Sequence, residues 1–382
     1  MPPADRGEAG RPAEIAAKLD RVRGWLAASG HDAALFTSQP GVAWVTAGVT
    51  DLVVRNEEPG LVWALITSAE AHLITTTIEE PRLAAEEAAA DLGFKVHAVP
   101  WYHPGGLAGA AADLAGTGTR VASDEGGGAA PGTPLPGELA ALRMPLTPGE
   151  ADRLDELGAE CAAALEGTLR TWQPTERECD LAARIAAALE QRRILPSVLL
   201  VGGAQRRRAF RHPVPTGAVT GSDVLAVIVG VRGGLNIACS RTAAAGPPAD
   251  DLAQRHLAAC TVEAAMIDAT RPGRAWQDAL EAGQAAYAGL GMADEWRQHV
   301  QGGPIGYLSR EFDVVPGTPE AASAVQAGAA FAWNPTVRGG KSEDTFVVTP
   351  GGARPVSNTT GWPSLTISTP SGPVPRPAIL RT

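Results

Sequence analysis

Five short segments in the second half of the chain bring together residue types suited to proton transfer and ion binding. A histidine, here His212, has an unperturbed pKa of about 6.5 and exchanges protons near neutral pH. A carboxylate such as Glu343 attracts cations, whereas arginines such as Arg241 and Arg310 bind carboxylates and other anions through paired N–H groups. The segments are 210–216, 234–242, 302–311, 333–335 and 341–345. They indicate a polar site for a small ligand.

The first 143 residues are predicted to form an α/β domain. Apolar residues at three- and four-residue spacing predict an amphipathic helix over 13–29, which Gly30 can end. The segments that follow are predicted strands at 32–37, 42–46, 61–67, 72–78 and 95–100, with a helix at 81–92. Strands mixed with helices in this way are typical of an α/β domain with a largely covered sheet.

Residues 144–382 are predicted to form an α+β domain that contains all five polar segments. Thr147 with Glu150, and Thr175 with Glu178, have the spacing of capping boxes for helices that run to about 171 and 192. The later predicted elements are a strand at 197–201, a hairpin of 224–231 and 235–243, and helices at 248–270 and 275–290. The last dozen residues, rich in Pro, Ser and Thr, are expected to form an extended tail.

Composition and charge argue against several classes of protein. The 382 residues are 45% hydrophobic and 19% charged, as in a folded protein of about two domains. A net charge of −10 argues against a nucleic-acid partner. No apolar run approaches the roughly 20 residues of a membrane helix, and the first ten residues lack a signal-peptide pattern. The four scattered cysteines are expected to be buried thiols, and we expect a cytoplasmic protein.

In order and separation, the five segments resemble those of the pita-bread superfamily, which includes aminopeptidase P, prolidase, methionine aminopeptidase and creatinase. The matching stretches are Phe210-Arg211-His212-Pro213-Val214-Pro215-Thr216, Gly234-Leu235-Asn236-Ile237-Ala238-Cys239-Ser240-Arg241-Thr242, Gly302-Gly303-Pro304-Ile305-Gly306 with Arg310-Glu311, Trp333-Asn334-Pro335, and Lys341-Ser342-Glu343-Asp344-Thr345. The resemblance implies a pita-bread domain preceded by a creatinase-type N-terminal domain. It also implies a homodimer, because relatives are often dimeric.

The metallopeptidases of this superfamily hold two metal ions with two Asp, one His and two Glu. By the resemblance, these ligand positions are occupied here by Val227, Ala238, Gly303, Asn334 and Glu343. Only Glu343 keeps a carboxylate, and one carboxylate is too few to hold two divalent ions. We therefore expect no metal cofactor.

Creatinase hydrolyses a C–N bond on this fold without a metal, and its resemblance to this chain implies roles for the remaining residues. His212 aligns with the creatinase general base, and Glu343 aligns with a carboxylate that tunes the histidine or binds a cationic group. Arg241 and Arg310 are expected to bind an anionic group, and Asn334 to orient a carbonyl oxygen.

Four further residues are placed beside the site by the same resemblance. Tyr307 and Trp333 are expected to form apolar walls, and Glu311 follows an arginine where the peptidases have a histidine. Ser240 stands where creatinase has a second carboxylate, so creatine is not the expected substrate.

Each of these roles has a structural alternative. His212 is otherwise an inert, hydrogen-bonded residue, and Glu343 is otherwise the partner of Arg241 in a salt bridge. Arg310 is otherwise a surface residue, and Trp333 and Tyr307 are otherwise part of the core.

The sequence as a whole predicts a metal-independent hydrolase that acts on a C–N or acyl bond of a small anionic or amide-containing molecule or a short peptide. One alternative is a catalytically silent binding protein. Another is an Xaa-Pro peptidase with an atypical metal site, built from Glu343, Glu311, His212 and His299.

Overall fold

The computed structural model describes residues 10–50, 53, 55, 59–124 and 131–382. Its residues group into two compact units, Met1–Glu150 and Ala151–Thr382. The domain boundary predicted from the sequence, between residues 143 and 144, lies a few residues before the helix that begins at Pro148. None of the described helices is both long enough and apolar enough to cross a lipid bilayer.

The first unit is built on a six-stranded mixed sheet. Its elements are α1 (Arg11–Ser29), β1 (Ala33–Phe36), α2 (Gln39–Val45), β2 (Trp63–Thr67), β3 (Ala71–Thr76), α3 (Glu80–Arg82), β4 (Lys95–Val99), α4 (Gly106–Ala115), β5 (Val121–Ser123), β6 (Thr133–Pro134) and α5 (Pro136–Ala141). The strand order is β4-β3-β2-β1-β5-β6. Apolar residues of β1, β2 and β3, including Leu35, Leu65 and Ile74, pack under α4.

Two predicted elements of the first unit differ from the structure. The segment predicted as a strand at 42–46 is part of helix α2, because the Ser38 side chain accepts a hydrogen bond from the Gly41 N–H and caps the helix. The predicted helix at 81–92 is shorter: α3 continues into a π-helical turn, Leu83–Glu87, which ends at Ala88 with a positive φ of 48°.

The second unit contains two four-stranded sheets, two hairpins and several covering helices. Its elements are α6 (Pro148–Arg170), α7 (Glu178–Glu190), β7 (Leu195–Gly203), α8 (Ala204–Ala209), β8 (Asp223–Arg232), β9 (Leu235–Ala244), α9 (Asp250–Ala269), α10 (Trp276–Gly289), β10 (Gly302–Ile305), α11 (Pro319–Ala322), β11 (Ala330–Trp333), β12 (Thr336–Val337), β13 (Gly340–Lys341), β14 (Asp344–Thr349), β15 (Gly352–Pro355), β16 (Ser364–Thr369), β17 (Gly372–Pro377) and β18 (Leu380–Arg381). The sheets have the orders β18-β9-β8-β7 and β10-β11-β14-β15.

Local sequence signals explain most of the second unit. Thr147 and Glu150 form the predicted capping box: the Glu150 N–H donates to Thr147 Oγ1 at 3.2 Å, and the Thr147 N–H donates to Glu150 Oε2 at 2.7 Å. The β8–β9 hairpin turns at Gly233 and Gly234, both with positive φ, as a two-residue hairpin loop requires. The capping box at Thr175 is wrong, because α7 begins only at Glu178 and its N-cap residue, Arg177, makes no side-chain cap.

The C-terminal residues are ordered strands rather than the predicted extended tail. β16 and β17 form an antiparallel hairpin, and β18 adds a parallel edge strand to β9. Prolines 373, 375 and 377 occupy every second position of β17, so all three have the same hydrogen-bonding type in the antiparallel pair. A strand tolerates proline where its backbone nitrogen does not have to donate a hydrogen bond.

Candidate functional site

The candidate site lies on one face of the strands where β9 meets the start of β14. The Ser240 N–H donates to the Glu343 carbonyl oxygen at 2.9 Å, which joins the two segments. Side chains alternate between the two faces of a strand. Arg241 and Asp344 therefore share one face, where their side chains form an ion pair at 2.9 Å, while Ser240 and Glu343 share the other.

A buried lysine neutralises the candidate carboxylate. Lys341 Nζ lies 3.2 Å from Glu343 Oε2 and 3.4 Å from the main-chain oxygen of Asn334. Both charged side chains are about 95% buried. Burial lowers the pKa of Lys341, and the Glu343 carboxylate opposes this shift. The pair therefore places a lysine side chain beside the one carboxylate that matches the superfamily pattern.

Two histidines face each other beside this ion pair. His212 Nε2 and His299 Nε2 are 2.9 Å apart, and the rings are in an edge-on arrangement with centroids 4.9 Å apart. Burial, followed by the charge of Lys341, lowers the pKa of His212; Glu343 opposes this shift and Arg310 adds to it. Burial, Lys341 and His212 together lower the pKa of His299 to about 2. Both imidazoles are therefore neutral at pH 7.

The loop carrying His212 is anchored on both sides of the histidine. Arg211 donates from Nη2 to Glu295 Oε1 and from Nη1 to Thr336 Oγ1, each at 2.7 Å. Pro213 is buried against Gly202 of β7, where any Cβ would overlap the proline ring. His212 itself is partly desolvated but remains exposed to solvent, so it is held in place and accessible.

Gln301 fixes the position of His299. Its Nε2 donates to the main-chain oxygens of His299 at 2.6 Å and Trp296 at 3.1 Å, just before β10 begins. His299 was predicted only as part of an atypical metal site. The contact between His299 and His212 was not predicted, because sequence spacing does not show how the preceding 3₁₀ turn, Glu295–Gln298, orients the chain.

Arg241 does not face the candidate site. Its guanidinium donates to Glu166 Oε1 at 2.8 Å, to Asp344 Oδ1 at 2.9 Å, and to the main-chain oxygens of Ser240 and Ser357. The side chain is fully buried. These contacts use the guanidinium inside the protein and disfavour the predicted role as an anion clamp. The predicted alternative, a salt bridge from Arg241 to Glu343, is not formed either. Arg241 pairs with Glu166 and Asp344, and Glu343 pairs with Lys341.

Arg310 and Glu311 lie next to each other but differ in their surroundings. Arg310 is partly exposed, pairs with Asp313 at 3.3 Å, and is close enough to both histidines to lower their pKa values. Glu311 Oε1 accepts hydrogen bonds from the N–H groups of Tyr307 at 2.8 Å and Leu308 at 3.2 Å. Arg310 therefore remains a candidate ligand contact, whereas Glu311 holds the turn that presents it.

The two predicted apolar walls are buried residues. Trp333 is fully buried, donates from Nε1 to Thr270 Oγ1 at 2.9 Å, and packs edge-on against Trp276. Tyr307 is 2% exposed. These contacts favour the structural alternative, packing within the second unit, for Trp333.

The basic run Arg206–Arg208 forms helix α8, and each of its arginines has an acidic partner. Arg206 pairs with Glu178, Arg207 with Asp223, and Arg208 with Asp251. Helix α8 and Arg211 line an open cavity of about 670 Å³ together with Glu295, Gln298 and Arg338. Arg211 and Gln298, which line this cavity, immediately precede His212 and His299 in the chain.

Comparison with known proteins places the second unit in a family. The model of metallopeptidase family M24 matches residues 152–350. The chain belongs to this family. A comparison with curated proteins finds no match.

Solved structures with the M24 architecture match almost the whole chain. The dipeptidase PepE from Mycobacterium ulcerans is 23% identical, with a TM-score of 0.73, over 91% of this chain and 96% of that one. The Xaa-Pro dipeptidase from Bacillus anthracis is 19% identical, with a TM-score of 0.71, over 90% and 98%. The N-terminal domain of FACT complex subunit SPT16 from chickpea is 11% identical, with a TM-score of 0.66, over 91% and 96%. The predicted α+β fold, with a pita-bread domain after an N-terminal domain, is confirmed.

The residues of this M24 chain do not fit a dinuclear metal centre. Val227, Ala238 and Gly303 offer no side-chain donor, and the carboxylate of Glu343 is already paired with an ammonium group. Within the described ranges, no three His, Cys, Asp or Glu side chains are grouped so as to hold a metal ion.

Proposed function

We propose that this M24 member is a metal-independent hydrolase that acts on a C–N or acyl bond of a small anionic or amide-containing molecule, with His212 as general base. The observation that supports this proposal most directly is the accessible, anchored imidazole of His212 beside the Lys341–Glu343 pair. A neutral imidazole is the form that accepts a proton, and positioned proton transfer contributes about 10²–10⁴-fold to rate.

The proposed reaction is an attack by water on a carbonyl carbon. His212 takes a proton from the water as its oxygen forms the new bond to carbon. The C–N bond then breaks, and the protonated His212 returns the proton to the leaving nitrogen. Lys341 stabilises the negative charge that develops on the carbonyl oxygen. The dipeptidases among the similar structures, which are named for peptide substrates, support an amide bond as the target.

The decisive experiment is replacement of the base. His212→Ala and His212→Gln are expected to lose about 10²-fold or more in kcat with little change in KM, because they remove proton transfer and leave the ligand contacts intact. Turnover of short peptides and small amides is to be measured with and without EDTA. His31→Ala, in the first unit, is the matched control and should retain full turnover.

Two outcomes would count against this proposal. Turnover that EDTA abolishes and manganese or zinc restores would show a metal-dependent reaction. Unchanged turnover in both His212 variants would remove the histidine from the mechanism.

The second candidate function is a catalytically silent binding protein. It is favoured by the similarity to a domain of SPT16, which is named as a complex subunit rather than as a peptidase. A binding protein would retain its ligand in the His212→Ala variant and show no turnover in the native chain. An atypical metal site is disfavoured because Glu311 closes a turn and Glu343 is paired with Lys341.

We also propose that the protein is cytoplasmic and that it is a homodimer, because relatives in the superfamily are often dimeric. Light scattering of the purified chain measures its mass in solution, and the mass of a monomer would contradict the dimer.

A further inference from the structure

Two buried side-chain oxygen atoms lack partners beside the Lys341–Glu343 ion pair. Within the described part of the chain, Ser240 Oγ and Asn334 Oδ1 are buried and have no hydrogen-bond partner. The main chain of Ser240 bonds to that of Glu343, and the main-chain oxygen of Asn334 accepts from Lys341. Buried polar atoms in folded proteins almost always have a partner in the protein, in water or in a ligand, so these two atoms indicate a place for a polar guest.

The ammonium group of Lys341 has a donor to spare for the same guest. Of its three N–H bonds, one faces Glu343 and one faces the main-chain oxygen of Asn334. The described residues provide no acceptor for the third. The site therefore combines one available donor with two oxygen acceptors.

We propose that this site binds an amide group, with the amide carbonyl oxygen on Lys341 Nζ and the amide N–H on Asn334 Oδ1 or Ser240 Oγ. Lys341 is thus a ligand-binding residue that provides, in this chain, the positive charge that metal ions provide in its relatives. The inference deepens the proposed function, because it selects the amide among the substrates considered there.

The charges around the site favour a neutral group over an ionic one. A carboxylate guest would lie beside the buried carboxylate of Glu343, and an ammonium guest would lie beside the buried Lys341. Either arrangement places like charges close together where little water screens them. An amide offers both a donor and an acceptor without a net charge, and so matches the unpartnered atoms.

The test compares two probes that differ only in the group next to one carbonyl. N-methylacetamide has a single amide N–H, and methyl acetate has an ester oxygen in that place. Binding of both to the intact chain is to be measured by calorimetry or NMR titration. The amide is expected to bind about tenfold or more tightly than the ester, because the ester leaves a buried acceptor unpaired.

Two variants separate the two contacts. Asn334→Leu is expected to bring the amide and the ester to nearly equal affinity. Lys341→Met combined with Glu343→Gln, which leaves no buried charge unpaired, is expected to weaken both probes about tenfold or more. Asn358→Leu, at an exposed position, and Lys95→Met, in the first unit, are the matched controls. Thermal unfolding confirms that each variant is folded.

Equal affinity of the native chain for the two probes, or no binding of either, overturns the inference and leaves bound water as the partner of Ser240 Oγ and Asn334 Oδ1. This comparison needs no variant. The inference is also separable from the proposed function: amide binding without turnover supports the site and contradicts the hydrolase, whereas His212-dependent turnover that is insensitive to Lys341 and Asn334 does the reverse.

Discussion

At the scale of single residues, the surroundings of His212 determine the protonation state in which it works. Burial and the Lys341 ammonium lower its pKa from the usual 6.5, and Glu343 only partly offsets them. His299 has its pKa lowered further, to about 2, so it stays neutral and acts as a fixed hydrogen-bond partner. One basic group, His212, is left to accept a proton.

This arrangement predicts the pH dependence of turnover. In the proposed mechanism the active form of His212 is neutral, and its lowered pKa extends the neutral form to more acidic pH. The value of kcat/KM is expected to be flat at neutral pH and to fall only below about 6.5, the ordinary histidine value. The Lys341→Met/Glu343→Gln variant should begin to fall at a higher pH, because the cation that disfavours imidazolium is gone. A native profile that falls well above 6.5 would contradict the assignment.

Residue identities could be predicted better than the directions in which side chains point. The sequence places Ser240, Asn334 and Glu343 near the site, and in the structure Lys341 contacts Asn334 and Glu343 while Ser240 bonds to the main chain of Glu343. It also places Arg241 there, but the alternation of faces along β9 turns that side chain towards Glu166. Lys341 stands two residues before Glu343 in extended backbone, and this spacing could have predicted that the two side chains lie on one face.

At the scale of elements, helix α6 packs closely on the segment that follows β15. A Cβ added at Gly158 would overlap the carbonyl group of Val356. That segment continues through Ser357, whose main-chain oxygen accepts from Arg241 and whose hydroxyl donates to Asp344. The absence of a side chain at Gly158 therefore allows the helix to support the strands that carry Glu343.

A pair of alanine substitutions in α6 tests this contact. Gly158→Ala is expected to destabilise the protein by about 1–3 kcal/mol or more, because the backbone has to move. Gly167→Ala, in the same helix with open space around it, is expected to be neutral or to stabilise it by up to about 1 kcal/mol. Denaturant unfolding measures both. Similar effects of the two substitutions would show that the close approach is unimportant.

Elements with strong local signals could be predicted, and those that depend on distant partners could not. The Gly233-Gly234 turn and the Thr147 cap act within a few residues, and both are present in the structure. The C-terminal strands were missed because their prolines and polar residues oppose strand formation locally. They are ordered by pairing with each other and with β9.

At the scale of the whole second unit, one buried ionic network joins five elements. It links Glu166 of α6, Arg241 of β9, Asp344 of β14, Arg376 of β17 and Glu263 of α9. Its three carboxylates outnumber its two guanidinium groups. Burial raises the pKa of Glu263 to about 7; Arg376 opposes the shift and Asp344 adds to it. Near neutral pH the network therefore exchanges a proton.

The proton on Glu263 predicts how stability depends on pH. Since its pKa is higher in the folded than in the unfolded chain, the folded state holds a proton that the unfolded state has lost between about pH 4.5 and 7. The free energy of unfolding of the native chain should therefore fall as pH rises through this window. Relative to Glu263→Gln, the fall is expected to be on the order of 3 kcal/mol.

Free energies of unfolding of the native chain and of Glu263→Gln, measured from pH 4 to 8, provide this difference. Glu281→Gln, at an exposed position on the neighbouring helix α10, is the control and should follow the native curve. Parallel curves for the native chain and Glu263→Gln would contradict the assignment.

The opposite faces of Ser240–Arg241 and Glu343–Asp344 also constrain how this gene can change in length. Inserting or deleting one residue in β9 would turn Arg241 towards the candidate site and Ser240 towards the ionic network, and the same change at the start of β14 would exchange Asp344 and Glu343. Point replacements on the ligand-binding face leave the network behind it intact. Evolution can therefore vary the chemistry of this site by substitution, while the ionic network holds the spacing of the strands constant.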